Sequence, residues 1–140
     1  NKGMKIRIAG PLGGFSLKEN VPTLLIAGGI GITPFRAMLK QMEAESNKNN
    51  QIHLLYLDSE KLYLFKDELD SIAKKSLINI SYLHSKNDLY ERIEKFTSTY
   101  MENGNYFISG PKSMVDSVFV ELKNKNIKKQ NIKKDAFYGY

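Results

Sequence analysis

The chain has 140 residues, a formal net charge of +6 and no cysteine. This length suits one domain with its own hydrophobic core, and the lack of cysteine excludes disulfides, thiolate zinc sites and a cysteine nucleophile. No apolar run approaches the roughly 20 residues that cross a bilayer, and no signal-peptide pattern is present. Because the composition suits a reducing compartment, we expect a cytoplasmic protein without a membrane segment.

Residues 1–20 do not follow the pattern of the rest of the chain. Residues 4–9 alternate apolar and charged side chains, as a half-buried strand does, and residues 10–15 form a turn cluster rich in glycine. A polar linker follows at residues 18–20. We therefore expect this segment to belong to a preceding domain of a longer protein, with a regular domain starting at residue 21.

An apolar run of strand length at residues 24–28 leads into a glycine turn and then a helix. Phe35, Met38, Leu39 and Met42 recur at helical spacing. Gly29 and Gly31 permit backbone angles closed to other residues and present no Cβ to an approaching ligand. We expect Thr33 to cap the helix with Pro34 in its first turn. The spacing G-x-G-x-x-P departs from the dinucleotide fingerprint at its last glycine, so the segment predicts either a phosphate site or a tight turn without ligand.

The remaining elements continue an alternating series. Four further strands are predicted at residues 52–57, 77–83, 106–109 and 132–138. Helical faces are predicted between them at Phe65, Leu69, Ile72 and Ala73, at Leu89, Ile93, Phe96 and Tyr100, and at Val115, Val118, Phe119 and Leu122. Such a series indicates an α/β fold with a parallel sheet covered by helices on both faces.

Ligands of such sheets bind beyond the carboxyl ends of the strands. Those ends carry glycines, small hydroxyls and aromatics, at residues 28–34, 58–59, 84–85, 109–111 and the chain terminus. No ATPase-type lysine loop, serine elbow or metal-ligand spacing is present, and a Ser-His-Asp assembly would have to use His84 because His53 lies within a strand. This lining suits a flat cofactor that carries phosphate.

Four segments together resemble the landmarks of the ferredoxin–NADP reductase-like flavoproteins. They are residues 10–15, 28–35, 109–115 and 137–140, in the order of that family. The resemblance covers only the C-terminal, NAD(P)-binding half of the family's unit. It implies that residues 1–20 are the tail of a flavin-binding β-barrel with its linker and that residues 21–140 are the NAD(P)-binding domain. The implied fold is a three-layer, Rossmann-like sheet of order 3-2-1-4-5.

The resemblance also implies a role for individual residues. The pyrophosphate would lie on Gly29, Gly31, Thr33 and Pro34, and the cofactor-binding turn would also include Gly28, Ile30 and Ile32. Ser109, Gly110 and Pro111 would lie beside the nicotinamide, with Met114 near the adenine side. Many relatives have cysteine at the position of Ser109, and serine keeps the small size and a weak donor. Phe137 and Tyr140 would lie on the flavin ring, which makes Ser109 and Tyr140 the candidate catalytic residues.

The choice between NADH and NADPH rests on the ends of the second and third strands. Asp58 is suited to the free ribose hydroxyls of NADH, whereas Ser85 with Lys86, next to His84, is suited to a 2′-phosphate. No arginine is placed to form a fork on that phosphate, which favours NADH.

The leading functional hypothesis is an NAD(P)H-binding domain that delivers hydride to FAD, with the flavin domain as its partner and an electron acceptor that the sequence does not identify. Alone, this domain is expected to bind dinucleotide and to catalyse nothing. The alternative is a free-standing dinucleotide-binding or regulatory module. Nucleic-acid binding by the lysine-rich residues 123–134 is disfavoured, because no aromatic side chain is interleaved with those lysines.

Overall fold

The computed structural model describes residues 21–44, 51–76 and 78–137. The predictions made for residues 1–20 and for Tyr140 lie outside these ranges. The strands are β1 (Thr23–Gly28), β2 (Ile52–Leu57), β3 (Asn79–Leu83), β4 (Asn105–Pro111) and β5 (Ile132–Phe137). The helices are α1 (Ile32–Ala44), α2 (Lys66–Ser76), α3 (Lys86–Tyr100) and α4 (Lys112–Asn124). Short 3-10 turns occupy Gly29–Gly31, Met101–Asn103 and Lys129–Asn131.

The described strands form one parallel sheet in the order β3-β2-β1-β4-β5. Strand β1 is central, with Leu25 opposite Leu54 of β2 on one side and Phe107 of β4 on the other. All six residues of β1 are buried, as expected for a strand covered on both faces. The predicted α/β class, parallel pairing and strand order are confirmed.

Two hydrophobic cores fill the space between the sheet and its helices. One joins Leu25, Leu54 and Phe107 to α1 and α2, and the other joins Leu24, Ile26 and Ile108 to α3 and α4. The alternation follows from strand geometry, since neighbouring side chains point to opposite faces. Within the described ranges, no helix has the length and apolar character needed to cross a membrane.

Several boundaries differ from the prediction. Helix α1 begins at Ile32, because Gly29–Gly31 already winds as a 3-10 turn that continues into the helix. Thr33 therefore lies in the first turn and does not cap it. The predicted strand at residues 106–109 extends from Asn105 to Pro111, since Gly110 and Pro111 still pair with β5.

The predicted face of the second helix is wrong at Phe65. Its φ of 66° places it in the left-handed region, one residue before α2 begins at Lys66. The ring lies partly exposed, with the guanidinium carbon of Arg36 at 4.4 Å from its centroid. Leu69 and Ile72 are buried as predicted.

Candidate functional site

A cleft of about 420 Å³ opens at the carboxyl ends of β1, β2 and β3, between helices α3 and α4. Its lining combines glycines, small hydroxyls, one carboxylate, one lysine and one tyrosine. The lining residues are Gly28, Gly29, Leu57, Asp58, Ser59, His84, Lys86, Leu89, Tyr90, Pro111, Ser113, Met114, Ser117 and Val118. Six of them were predicted as site residues, namely Gly28, Gly29, Asp58, His84, Pro111 and Met114.

The turn after β1 presents its backbone at one side of this cleft. Gly29 has a φ of 55°, which L side chains rarely adopt, and a Cβ added there would meet no atom within 4 Å. The surface of this glycine is therefore open. Because the 3-10 turn continues into α1, the free N–H groups at the start of this turn and the positive end of the helix dipole lie in the same place. Such a combination favours an anion such as phosphate.

Gly31 lies against the backbone of β4. A Cβ at this position would lie 2.1 Å from the carbonyl oxygen of Ser109 and 2.8 Å from the nitrogen of Gly110. The missing side chain thus allows the 3-10 turn to pack directly on the backbone of β4. Gly31 is itself buried, whereas its neighbour Ile30 is 41% exposed. This contact between two backbones is an additional role for Gly31, and its place in the cofactor-binding turn stays a prediction.

The end of β4 lies beside this turn. A Cβ on Gly110 would come within 3.2 Å of the nitrogen of Gly28 and 3.0 Å of the Met114 sulfur. Ser109 is fully buried, and its hydroxyl has no hydrogen-bond partner among the residues that the structure describes. Phe137 pairs with Pro111 at the same end of the sheet and is half-buried. The segments 28–34 and 109–111, far apart in sequence, are therefore neighbours, as the sequence predicted.

The Asp58 carboxylate lines the cleft but mainly holds its own loop together. Its Oδ1 accepts from the N–H of Glu60, and its Oδ2 accepts from the N–H groups of Leu62 and Tyr63. The loop needs this support because Lys61, Tyr63 and Phe65 all have positive φ. The Tyr63 hydroxyl donates to the Leu83 carbonyl at 2.8 Å. Burial is the main cause that raises the pKa of Tyr63, and the Asp58 carboxylate is the second. The loop therefore occupies three of the about four acceptor positions of this carboxylate.

The residues that follow β3 have two different roles. His84 and Lys86 are exposed and line the cleft. Ser85 instead caps α3, with its Oγ accepting from the Asp88 N–H at 3.1 Å. The structure thus places Ser85 in the helix cap and leaves Lys86 as the cation of this part of the cleft.

Several lining residues were not among the predicted site residues. Tyr90 lies one turn after Lys86 on α3, and Ser113 and Ser117 lie one turn apart on α4. Their i, i+4 spacing gives each pair one helix face. The sequence could have indicated these residues, because α3 and α4 begin directly after strand ends that were already assigned to the site.

The site offers binding groups and few groups for proton transfer. Within residues 21–44, 51–76 and 78–137, no cluster of three His, Asp or Glu side chains could hold a metal ion. The fold and the cleft define an α/β domain that binds a nucleotide-like cofactor at the carboxyl edge of its sheet. The residues present fit such a cofactor, since the open turn at Gly29 adjoins a cleft with an aromatic and several hydroxyls.

The model of the oxidoreductase NAD-binding domain family matches residues 25–119, which is more than half of the chain. The chain belongs to this family, as the C-terminal NAD-binding domain of the ferredoxin reductase-like flavoproteins. The predicted resemblance is therefore confirmed.

Two curated relatives show the extent of the similarity. The chain is 31% identical to the toluate 1,2-dioxygenase electron transfer component of Pseudomonas putida, over 96% of the chain and 43% of that protein. It is 28% identical to flavohemoprotein A of Dictyostelium discoideum, over 96% of the chain and 36% of that protein. The chain thus spans less than half the length of either relative.

The fold is also that of a solved structure. The flavohem-like FAD/NAD-binding domain of nitric oxide dioxygenase from Vibrio cholerae O1 biovar El Tor superposes with a TM-score of 0.71 at 22% identity. The match covers 89% of the chain and 54% of that structure. At this identity, the similarity concerns the fold.

Proposed function

We propose that the chain is the NAD(P)H-binding domain of an FAD-dependent oxidoreductase, delivering hydride to a flavin held by another domain. The observation that carries this proposal is the contact between the 28–31 turn and the Ser109–Gly110 backbone, directly beside the cleft. In this proposal, residues 21–140 form the dinucleotide domain, and residues 1–20 form the tail of the flavin domain and its linker.

The dinucleotide would extend along the carboxyl edge of the sheet. The backbone of residues 28–34 would bind the pyrophosphate, because the turn is open at Gly29 and the α1 dipole favours an anion. The adenosine would occupy the cleft between α3 and α4, where Tyr90 offers an aromatic face and Met114 an apolar wall. Ser113 and Ser117 add hydroxyls from α4.

The nicotinamide end would lie toward β4. When bound, the nicotinamide supplies the hydride and the flavin accepts it, so no acid–base residue is required of the protein. Ser109, Gly110 and Pro111 would position the ring, and Phe137 and Tyr140 would contact the flavin.

NADH is the proposed preference over NADPH. Among the described lining residues, Lys86 is the lysine, it is exposed, and none is an arginine that could form a bidentate pair with a 2′-phosphate. Titration with both dinucleotides tests this, and NADH should bind more tightly. Lys86→Gln should weaken NADPH binding more than NADH binding. A preference for NADPH of tenfold or more would contradict the assignment.

The adenosine site is tested by calorimetric titration with AMP and by NMR shifts. Ser117→Phe places a ring in the cleft, whereas Val120→Phe places the same ring on the exposed side of α4, where Val120 is 55% exposed. We expect AMP to shift the amide signals of Gly29 and Tyr90, Ser117→Phe to abolish binding and Val120→Phe to bind normally. Normal AMP affinity in a folded Ser117→Phe variant would refute the proposed site.

Because the proposed flavin is held by another domain, a prediction follows for the activity of the isolated chain. With NADH and ferricyanide, it should bind NADH and show no turnover, because the flavin that accepts hydride belongs to the other domain. Turnover by the chain alone, without added flavin, would contradict this part of the proposal.

A further inference from the structure

A second cavity of about 440 Å³ lies beneath the later turns of α3, over the start of β2 and β3. We define the basic groove as this cavity. It shares helix α3 with the cofactor cleft, but the two have no described lining residue in common. Because α3 runs back from the carboxyl edge of the sheet, the groove lies toward the opposite edge, where β2 begins with Ile52 and His53. A ligand in the groove would therefore leave the cofactor cleft free.

The charged groups of the basic groove are cationic. Arg92 and Lys95 line it, and none of its described lining residues is acidic. The Arg92 Nη1 donates to the Ser81 Oγ at 2.5 Å, which directs the guanidinium toward β3. A guanidinium has five N–H donors, so most remain for a ligand. The planar fork matches the geometry of a carboxylate.

The inner surface of the basic groove is aromatic and apolar. The His53 ring meets the Phe96 ring edge-to-face, with centroids 5.4 Å apart, and Phe96 meets Tyr100 at 4.8 Å. Leu24 and Leu55 line the groove from the sheet. Burial lowers the pKa of His53, which favours the neutral imidazole, and its ring contact with Phe96 places it with the apolar surface. A flat ring would find both edge and face contacts here.

We infer that the basic groove binds an aryl carboxylate, with its ring against Phe96 and His53 and its carboxylate on Arg92 and Lys95. The cavity volume falls in the range of small-molecule sites. Apolar surface and a cation at one rim together favour a ligand with a ring and one negative group. Inorganic phosphate would satisfy only the cations, and a neutral aromatic only the rings.

Calorimetric titration of the 140-residue chain with 2-naphthoate tests this inference, with 2-naphthamide and inorganic phosphate as the two partial ligands. Naphthoate should saturate one site and shift the His53 ring signals, and each partial ligand should bind about tenfold more weakly or worse. Arg92→Gln should weaken naphthoate binding about tenfold, as expected for a lost charge-assisted hydrogen bond. Lys95→Gln should also weaken naphthoate binding.

A matched control is Lys123→Gln, which removes the same charge from an exposed position on α4. It should leave naphthoate binding unchanged. AMP should not compete with naphthoate, since the two cavities share no residue. Competition by AMP, equal binding of naphthoate and phosphate, no saturation at millimolar naphthoate, or normal affinity in folded Arg92→Gln would each overturn the inference.

Discussion

Replacing Gly31 by alanine tests the contact that brings the two halves of the site together. The added Cβ would lie 2.1 Å from the Ser109 carbonyl oxygen, 2.4 Å from its carbonyl carbon and 2.8 Å from the Gly110 nitrogen. All three are backbone atoms, and no flexible side chain can move away to make room. To restore ordinary contact, the 3-10 turn and β4 must separate by about 1 Å.

The free energy of unfolding should fall by about 3 kcal/mol, the upper part of the range for overpacking, because the strain falls on central strands. The total free energy of unfolding of a domain is typically about 5–15 kcal/mol. At about 2–8 °C per kcal/mol, the melting temperature should fall by roughly 10 °C. AMP affinity should fall with it, since the displaced turn is the proposed phosphate site.

Gly29→Ala provides the matched control, two residues away in the same turn. Its Cβ would meet nothing within 4 Å, and the cost is confined to the left-handed φ of 55°, about 1–2 kcal/mol. Urea unfolding followed by circular dichroism measures both variants. If Gly31→Ala proves as stable as Gly29→Ala, the packing of the turn on β4 is wrong.

Three further predictions concern single side chains. Asp58→Ala should lower the free energy of unfolding by about 1–3 kcal/mol in urea unfolding, because three loop N–H groups lose their acceptor. Hydrogen bonds from Arg36, and then from Lys40, lower the pKa of Glu68 from 4.5 to about 2. The stabilisation by Glu68 is therefore complete above pH 4.5 and is lost as the pH falls toward 2, so wild type and Glu68→Gln should converge in stability over that window. Ser109→Ala should leave the unfolding free energy unchanged or raise it by up to about 2 kcal/mol, since the buried hydroxyl lacks a described partner, and a clear loss of stability would reveal a hydrogen bond.

The sheet could be predicted because each element carries its own periodic signal. Leu25 and Ile26 lie in a run too apolar for a surface strand, and Phe35, Met38 and Leu39 recur at helical spacing, so element type and order follow from local pattern. The segments of the site could also be predicted, since the carboxyl ends of parallel strands share one edge.

The roles of individual side chains at that edge could not be predicted in the same way. Asp58 was interpreted as a ribose ligand, but its carboxylate accepts from a loop that turns back over it through left-handed Lys61 and Tyr63. Left-handed φ is uncommon at such residues, and no local pattern indicates it. Ser85 was interpreted as a possible ligand of a 2′-phosphate, but its hydroxyl caps the N-terminus of α3. In both cases a backbone donor close in sequence competes with the ligand for the same oxygen.

The packing of the turn on β4 explains the departure from the dinucleotide fingerprint. In G-x-G-x-x-G, the last glycine allows the helix to pack closely on the sheet. In this chain the closest approach falls three residues earlier, at Gly31 against Ser109, because a 3-10 turn precedes α1. Position 34 is then free of that constraint, and proline is tolerated in the first turn of a helix because its fixed φ already suits the helix. A third glycine is therefore unnecessary in a turn of this shape, and Pro34→Gly should leave the contact between the turn and β4 intact.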